Sequence, residues 1–116
     1  HLPYIGIKLT PETYLEKMIS PRLASRLIHE QRPLMLNAIT NQLLPFEQAQ
    51  INFSPFINTQ NEETKGPIAA FMHHSNALQQ AYGFDLYLPV SSFDRPSDEF
   101  LQLLKSCQAY AKETNL

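Results

Sequence analysis

Phe84-Asp85-Leu86-Tyr87-Leu88-Pro89-Val90, FDLYLPV, is the stretch on which the fold turns. Phe84, Leu86, Leu88 and Val90 alternate with Asp85, Tyr87 and Pro89. Apolar side chains at every second position share one face of an extended chain, the signature of a half-buried strand. Most of the remaining chain repeats its apolar residues at helical spacing. A strand among helices needs partner strands, and the sheet they form needs helices to cover it. The expected class is therefore α+β.

Two other segments offer partners. Between Leu2 and Leu9, Ile5, Ile7 and Leu9 fall on one side and Tyr4, Gly6 and Lys8 on the other. Ile51, Phe53, Pro55 and Ile57 alternate with Asn52, Ser54 and Phe56, and Pro55 moves that strand to a sheet edge. Asn58 to Gly66, NTQNEETKG, has no apolar residue and reads as an exposed loop.

Helix signals fill the rest. Thr10-Pro11-Glu12 combines a capping hydroxyl, a proline that costs no hydrogen bond in the first turn, and an acid suited to the positive helix end. Tyr14, Leu15, Met18 and Ile19 form the stripe of that first helix, and Ser20-Pro21 restarts the pattern. The second helix places Leu23, Ala24, Leu27 and Ile28 on one face. Pro33 introduces a third, Leu34 to Leu44, which uses Met35, Ala38, Ile39 and Leu43 and stops at Pro45. Pro67 opens a fourth, with Ile68, Phe71, Met72, Leu78 and Tyr82 at helical spacing and Gly83 as its left-handed end. The last begins among Asp94, Asp98 and Glu99 and buries Phe100, Leu101, Leu104, Cys107 and Ala111. The expectation is a small three-stranded sheet packed against about five helices, in a single domain covering residues 1–116.

Composition agrees with one globular core. The chain has 116 residues, 43% hydrophobic and 17% charged, with a formal net charge of −2. That balance gives no general attraction to nucleic acid or to an anionic membrane. The charge is uneven, however. Residues 1–44 carry Lys8, Lys17, Arg22, Arg26 and Arg32 against Glu12, Glu16 and Glu30, whereas residues 45–116 carry four basic and eight acidic residues. A lone cysteine, Cys107, excludes an internal disulfide and a cysteine-based zinc cluster. No apolar run is long enough to insert in a membrane. The chain opens with His1 rather than Met, which reads as a domain excised from a longer protein. Its compartment is read as cytoplasmic, with an extracytoplasmic sensor domain as the alternative.

No residue pattern spells out a reaction. The three glycines, at 6, 66 and 83, form no phosphate loop, and no cofactor or metal is expected. His73 and His74 are adjacent, so on a helix their rings diverge by about 100° and cannot chelate one ion together. His74 lies at the border of the apolar stripe, where partial burial would tune its pKa. A small hydrolytic or metal-dependent enzyme centred on His74 is one reading.

A second reading takes SPRLASRLIHEQR, Ser20 to Arg32, as a nucleic-acid-binding helix. Arg22, Arg26 and His29 share a face opposite the leucines, and Arg32 follows. The short turn before it, the neighbouring acids and the overall negative charge all argue against DNA and for a solvated face. The favoured reading is a non-enzymatic regulatory or sensory module. It would hold a protein partner, a small ligand or another copy of itself through aromatic rings on the sheet face turned away from the helices. Phe56, Tyr87 and Phe93 are its expected contacts, with His74 beside them.

Overall fold

In the computed structural model, which describes residues 4–9, 15–52, 54–94, 96–108 and 111–115, the α+β expectation holds. The elements run β1 (Tyr4–Leu9), α1 (Leu15–Met18), α2 (Pro21–Glu30), α3 (Arg32–Thr40), β2 (Phe56–Ile57), β3 (Glu63–Thr64), α4 (Gly66–Tyr82), β4 (Leu86–Pro89), α5 (Asp98–Gln108) and β5 (Ala111–Asn115). Two 3₁₀ turns, Phe46–Ala49 and Val90–Phe93, join them. The radius of gyration is 13.3 Å, close to the roughly 13 Å of one compact domain of about this length. The helix start foreseen at Thr10 to Glu12 lies outside the described residues, as do Tyr14, Phe53 and the Cys107 side chain.

The main sheet is antiparallel with β1 in the middle, in the order β4-β1-β5. Tyr4 faces Pro89 and Ile7 faces Leu86 across one ladder, while Ile5 faces Asn115 and Leu9 faces Ala111 across the other. The third strand is therefore not the Ile51–Ile57 segment. Only Phe56 and Ile57 are extended there, and they pair with Glu63 and Thr64 in a separate two-stranded hairpin. Ala111 was expected to continue the last helix, yet α5 stops at Gln108 and Ala111 begins β5.

Both faces of the sheet are covered. Ile7, Leu86 and Leu88 project into a core with Leu15, Leu23, Leu27, Phe71 and Phe100, supplied by α1, α2, α4 and α5. Tyr4 and Tyr87, on the opposite face, pack with Leu34, Met35, Ala38 and Leu78 from α3 and the C-terminal half of α4. β4 is buried along its whole length. The sequence reading of a bare outer face is thereby corrected: Tyr87 is 0% exposed. Alternation showed which side chains share a face, but not that a second layer of helices covers the other one.

Tyr87 is held on all sides. Its hydroxyl donates to the Leu78 carbonyl at 3.1 Å and accepts from the Phe84 amide at 2.9 Å. Its ring meets those of Tyr82 and Phe84 edge to face, with centroids 6.0 and 6.1 Å away. Burial pushes its pKa upward. Phe84 also explains Gly6: a Cβ there would lie 2.8 Å from the Phe84 ring, so β1 needs a residue without a side chain at that point.

The helix ends follow local chemistry. Ser20 caps α2, its Oγ accepting from the Leu23 amide at 3.1 Å, with Pro21 in the first turn. Gly83, at φ +89°, ends α4 as expected. α3 stops earlier than the foreseen Leu44. Gln42 takes the left-handed region at φ +59°. Its amide donates to the Ile39 carbonyl at 3.1 Å, and that of Leu43 to Ala38 at 2.8 Å. These two bonds close the helix by the Schellman arrangement, which glycine usually supplies. Leu43, assigned by sequence to the buried stripe, is consequently exposed, and Leu44 is buried in its place.

Two of the three aromatic contacts expected from sequence, Tyr87 and Phe93, should separate in a stability measurement. Tyr87→Ala removes a fully enclosed ring and should cost about 3–5 kcal/mol in denaturant unfolding. Phe93, 40% exposed and in edge contact with Phe100, should cost about 1 kcal/mol as alanine.

Candidate ligand-binding groove

A concavity lies at the break between α2 and α3. Pro33 sits in the first turn of α3, and Gln31 lies between the two helices with ψ near 0°, so the chain bends rather than continuing. Ile28 on α2 and Met35, Leu36 and Ile39 on α3 then form one wall of a groove. α4 supplies the floor with Pro67, Ala70 and His74. The segment after α3 crosses back and adds Phe46, Ala49 and Ile51 as the opposite wall. The volume is about 660 Å³, within the range of roughly 300–1,000 Å³ typical of small-molecule sites.

The walls are apolar and open to solvent. Among the described residues, Leu36, Phe46 and Ile51 are each more than half exposed, at 54%, 60% and 54%. Three large apolar side chains gathered around one depression form a patch, unlike single exposed leucines, which need no explanation.

The groove's ionisable groups are few and all basic. His29 and Arg32 belong to the α2–α3 bend, His74 to the floor, and no aspartate or glutamate lines the groove among the described residues. Arg32 forms no ion pair with any described residue, whereas Arg26 pairs with Glu30 at 2.9 Å and reaches Ser97 at 3.3 Å. His74 is 8% exposed, and its Nε2 is buried without a hydrogen-bond partner. Burial lowers its pKa to about 4, so the imidazole is neutral at pH 7.

His73 points into different surroundings. Its Nε2 lies 3.1 Å from the Ser54 carbonyl oxygen, and its ring meets that of Phe56 edge to face at 5.5 Å. These contacts fasten the segment beyond Ile51 to α4. They leave Phe56 half-buried against the first core rather than displayed. The Asn58–Glu62 turn is fixed in the same region. The Asn58 side-chain oxygen accepts from the Gln60 and Glu62 amides, both at 2.9 Å, and its nitrogen donates to the buried Glu16 at 2.9 Å. Lys17 adds an ion pair to Glu62 at 3.0 Å.

The residues singled out by sequence are thus dispersed. Phe56 packs on one core, Tyr87 lies inside the other, and Phe93 sits in the 3₁₀ turn against Phe100. Of the expected binding residues, His74 alone lines the groove. Of the four basic candidates, His29 and Arg32 line it, while Arg22 and Arg26 lie exposed on α2 outside it. Among the described residues no group of three histidine, cysteine, aspartate or glutamate side chains is placed to hold a metal.

Leu36, Phe46 and Ile51 escaped the sequence reading. A usable signal was present in α3, where Leu34, Met35, Leu36, Ala38 and Ile39 leave no continuous polar face. A helix apolar nearly all round is covered on several sides or exposes a binding surface.

The buried His74 carries a pH signature. Its folded pKa lies below the usual 6.5, so the unfolded chain binds more protons between those two values. Stability is therefore fully present above pH 6.5 and falls as the pH drops towards 4. From pH 7 to pH 4, wild type should lose about 3 kcal/mol more than His74→Leu in urea unfolding.

The chain resembles no curated protein and no solved structure at a significant level. A family model described as "Protein of unknown function (DUF2982)" matches residues 1–110, nearly the whole length, and the chain belongs to that family.

Proposed function

We propose that this chain is a small-ligand-binding module and that its site is the groove between α2, α3 and α4. The aromatic sheet face inferred from sequence cannot serve, because Tyr87 is sealed. The observation that carries the new assignment is the 660 Å³ depression with exposed Leu36, Phe46 and Ile51 on its walls. Filling it would remove apolar surface from water at roughly 25 cal/mol per Å². Its few polar groups, among them His29, Arg32, Gln50 and His74, are of the kind that orients a ligand in an otherwise apolar site.

A small ligand fits better than an extended protein surface. The other large exposed apolar residues, among them Leu43, Ile57, Val90 and Phe93, lie outside the groove lining. A broad protein interface would gather more such residues around a central anchor. Sensory or regulatory use of the module, the role expected from sequence, follows if occupancy alters the α2–α3 bend that frames the site.

The test uses an uncharged apolar dye, Nile red. Wild-type protein should bind one equivalent with enhanced, blue-shifted emission. Leu36→Asp and Ile51→Asp, both at exposed positions, should retain the circular dichroism of the wild type and weaken binding at least about tenfold, equivalent to about 1.4 kcal/mol. Unchanged binding in both variants would place the site elsewhere.

A further inference from the structure

We infer that the groove takes a free aliphatic monocarboxylate, with its carboxylate at Arg32 and its alkyl chain along Leu36, Ile39 and Ile51. The inference rests on the groove being the binding site and adds the chemical class of its occupant. Three observations carry it.

The first is charge. The sequence contains 11 acidic and 9 basic residues, and three cations of the described chain have acidic partners, Arg26 with Glu30, Lys17 with Glu62 and Lys65 with Glu63, whereas Lys8, Arg22 and Lys105 stand in solvent away from the groove. Arg32 has none among the described residues, and the groove it borders contains no acid there. A guanidinium beside apolar walls, with no internal carboxylate competing for it, suits an external one by bidentate hydrogen bonding.

The second is the His74 Nε2. It is a buried polar atom with no partner, on a residue that lines the groove. Unsatisfied buried groups of this kind are rare in native proteins and call for an explanation. A ligand oxygen entering beside His74 would supply the missing hydrogen bond.

The third is wall chemistry. Ile28, Met35, Leu36, Ile39 and Ile51 are aliphatic, and among the described lining residues Phe46 is the one phenyl ring. Flexible, unbranched chains fill such walls well, and methionine adapts to them. A planar aromatic ligand would find few rings to stack upon.

The experiment titrates the protein with decanoate and decan-1-ol by isothermal calorimetry, below their aggregation limits. Decanoate should bind with unit stoichiometry about fivefold more tightly than the alcohol, the effect of one solvent-accessible ion pair of about 1 kcal/mol. Arg32→Gln should remove that preference, so that acid and alcohol bind equally. Arg22→Gln, an exposed arginine outside the groove, should change neither. In parallel, decanoate should move the His74 ring nitrogen resonances and leave those of His73, already engaged by Ser54. Equal affinity for acid and alcohol, an equal effect of Arg22→Gln, or a stationary His74 overturns the carboxylate while the groove stands. Binding of neither molecule, together with failure of Nile red, overturns the groove itself. Association with phosphatidylglycerol vesicles but not with monomeric decanoate overturns a free acid in favour of a membrane headgroup.

Discussion

Gln31 donates from Nε2 to the Tyr87 carbonyl oxygen at 2.6 Å, from a side chain only 1% exposed. That bond joins the bend between α2 and α3 to the backbone of β4. Tyr87 in turn fastens α4 through the Leu78 carbonyl and the loop before β4 through the Phe84 amide. Two more hydroxyls complete the arrangement: Tyr4 donates to the Glu30 carbonyl at 2.6 Å and Tyr82 to that of Leu34 at 3.0 Å. The carbonyl oxygens near a helix break are acceptors that need partners once buried. Tyr4 provides one for the end of α2, and Tyr82 adds a second tie from α4 to the first turn of α3. The angle between α2 and α3 is thus set from inside the second core, and the groove is the outer side of the same bend.

This arrangement also shows where the fold tolerates unfavourable terms. Among the described residues, the two buried side-chain atoms without partners are Gln31 Oε1 and His74 Nε2. Each such group costs about 1–3 kcal/mol. Gln31 offsets part of that cost with the bond to Tyr87, and a leucine there would leave the Tyr87 carbonyl with one partner fewer. His74 has no comparable structural return. A neutral histidine on a groove floor, where an apolar residue would pack at lower cost, makes more sense for recognition than for stability.

The parts of the fold visible in sequence are those governed by neighbours along the chain. Ser20-Pro21, Pro67 and Gly83 mark helix ends by chemistry acting within one turn, and FDLYLPV alternates over a span that local periodicity can report. The failures concern partners far away. β5 consists of Ala111, Lys112, Glu113, Thr114 and Asn115, a polar run with little strand preference of its own, ordered by its ladder to β1. Ile51 to Ile57 alternates as a strand should, yet most of it is directed by the His73 contacts and the Asn58 turn. Gln42 replaces the glycine that would have revealed the end of α3. For the site, alternation placed Tyr87 correctly on the face opposite Leu86 and Leu88, but a period of two says nothing about what covers that face.

The same reasoning bears on the row of basic residues that the sequence places between Ser20 and Arg32. A phosphate backbone is met by a row of free cations along one exposed face. In this chain the row is broken: Arg26 is engaged by Glu30 and Ser97, and Arg32 is turned by the bend towards apolar walls instead of extending the line begun by Arg22. Had α2 and α3 formed one straight helix, Arg22, Arg26, His29 and Arg32 would have continued along neighbouring turns. The buried Gln31 interrupts them, and its hydrogen bond to β4 converts a potential cationic stripe into a single cation at the rim of an aliphatic cleft.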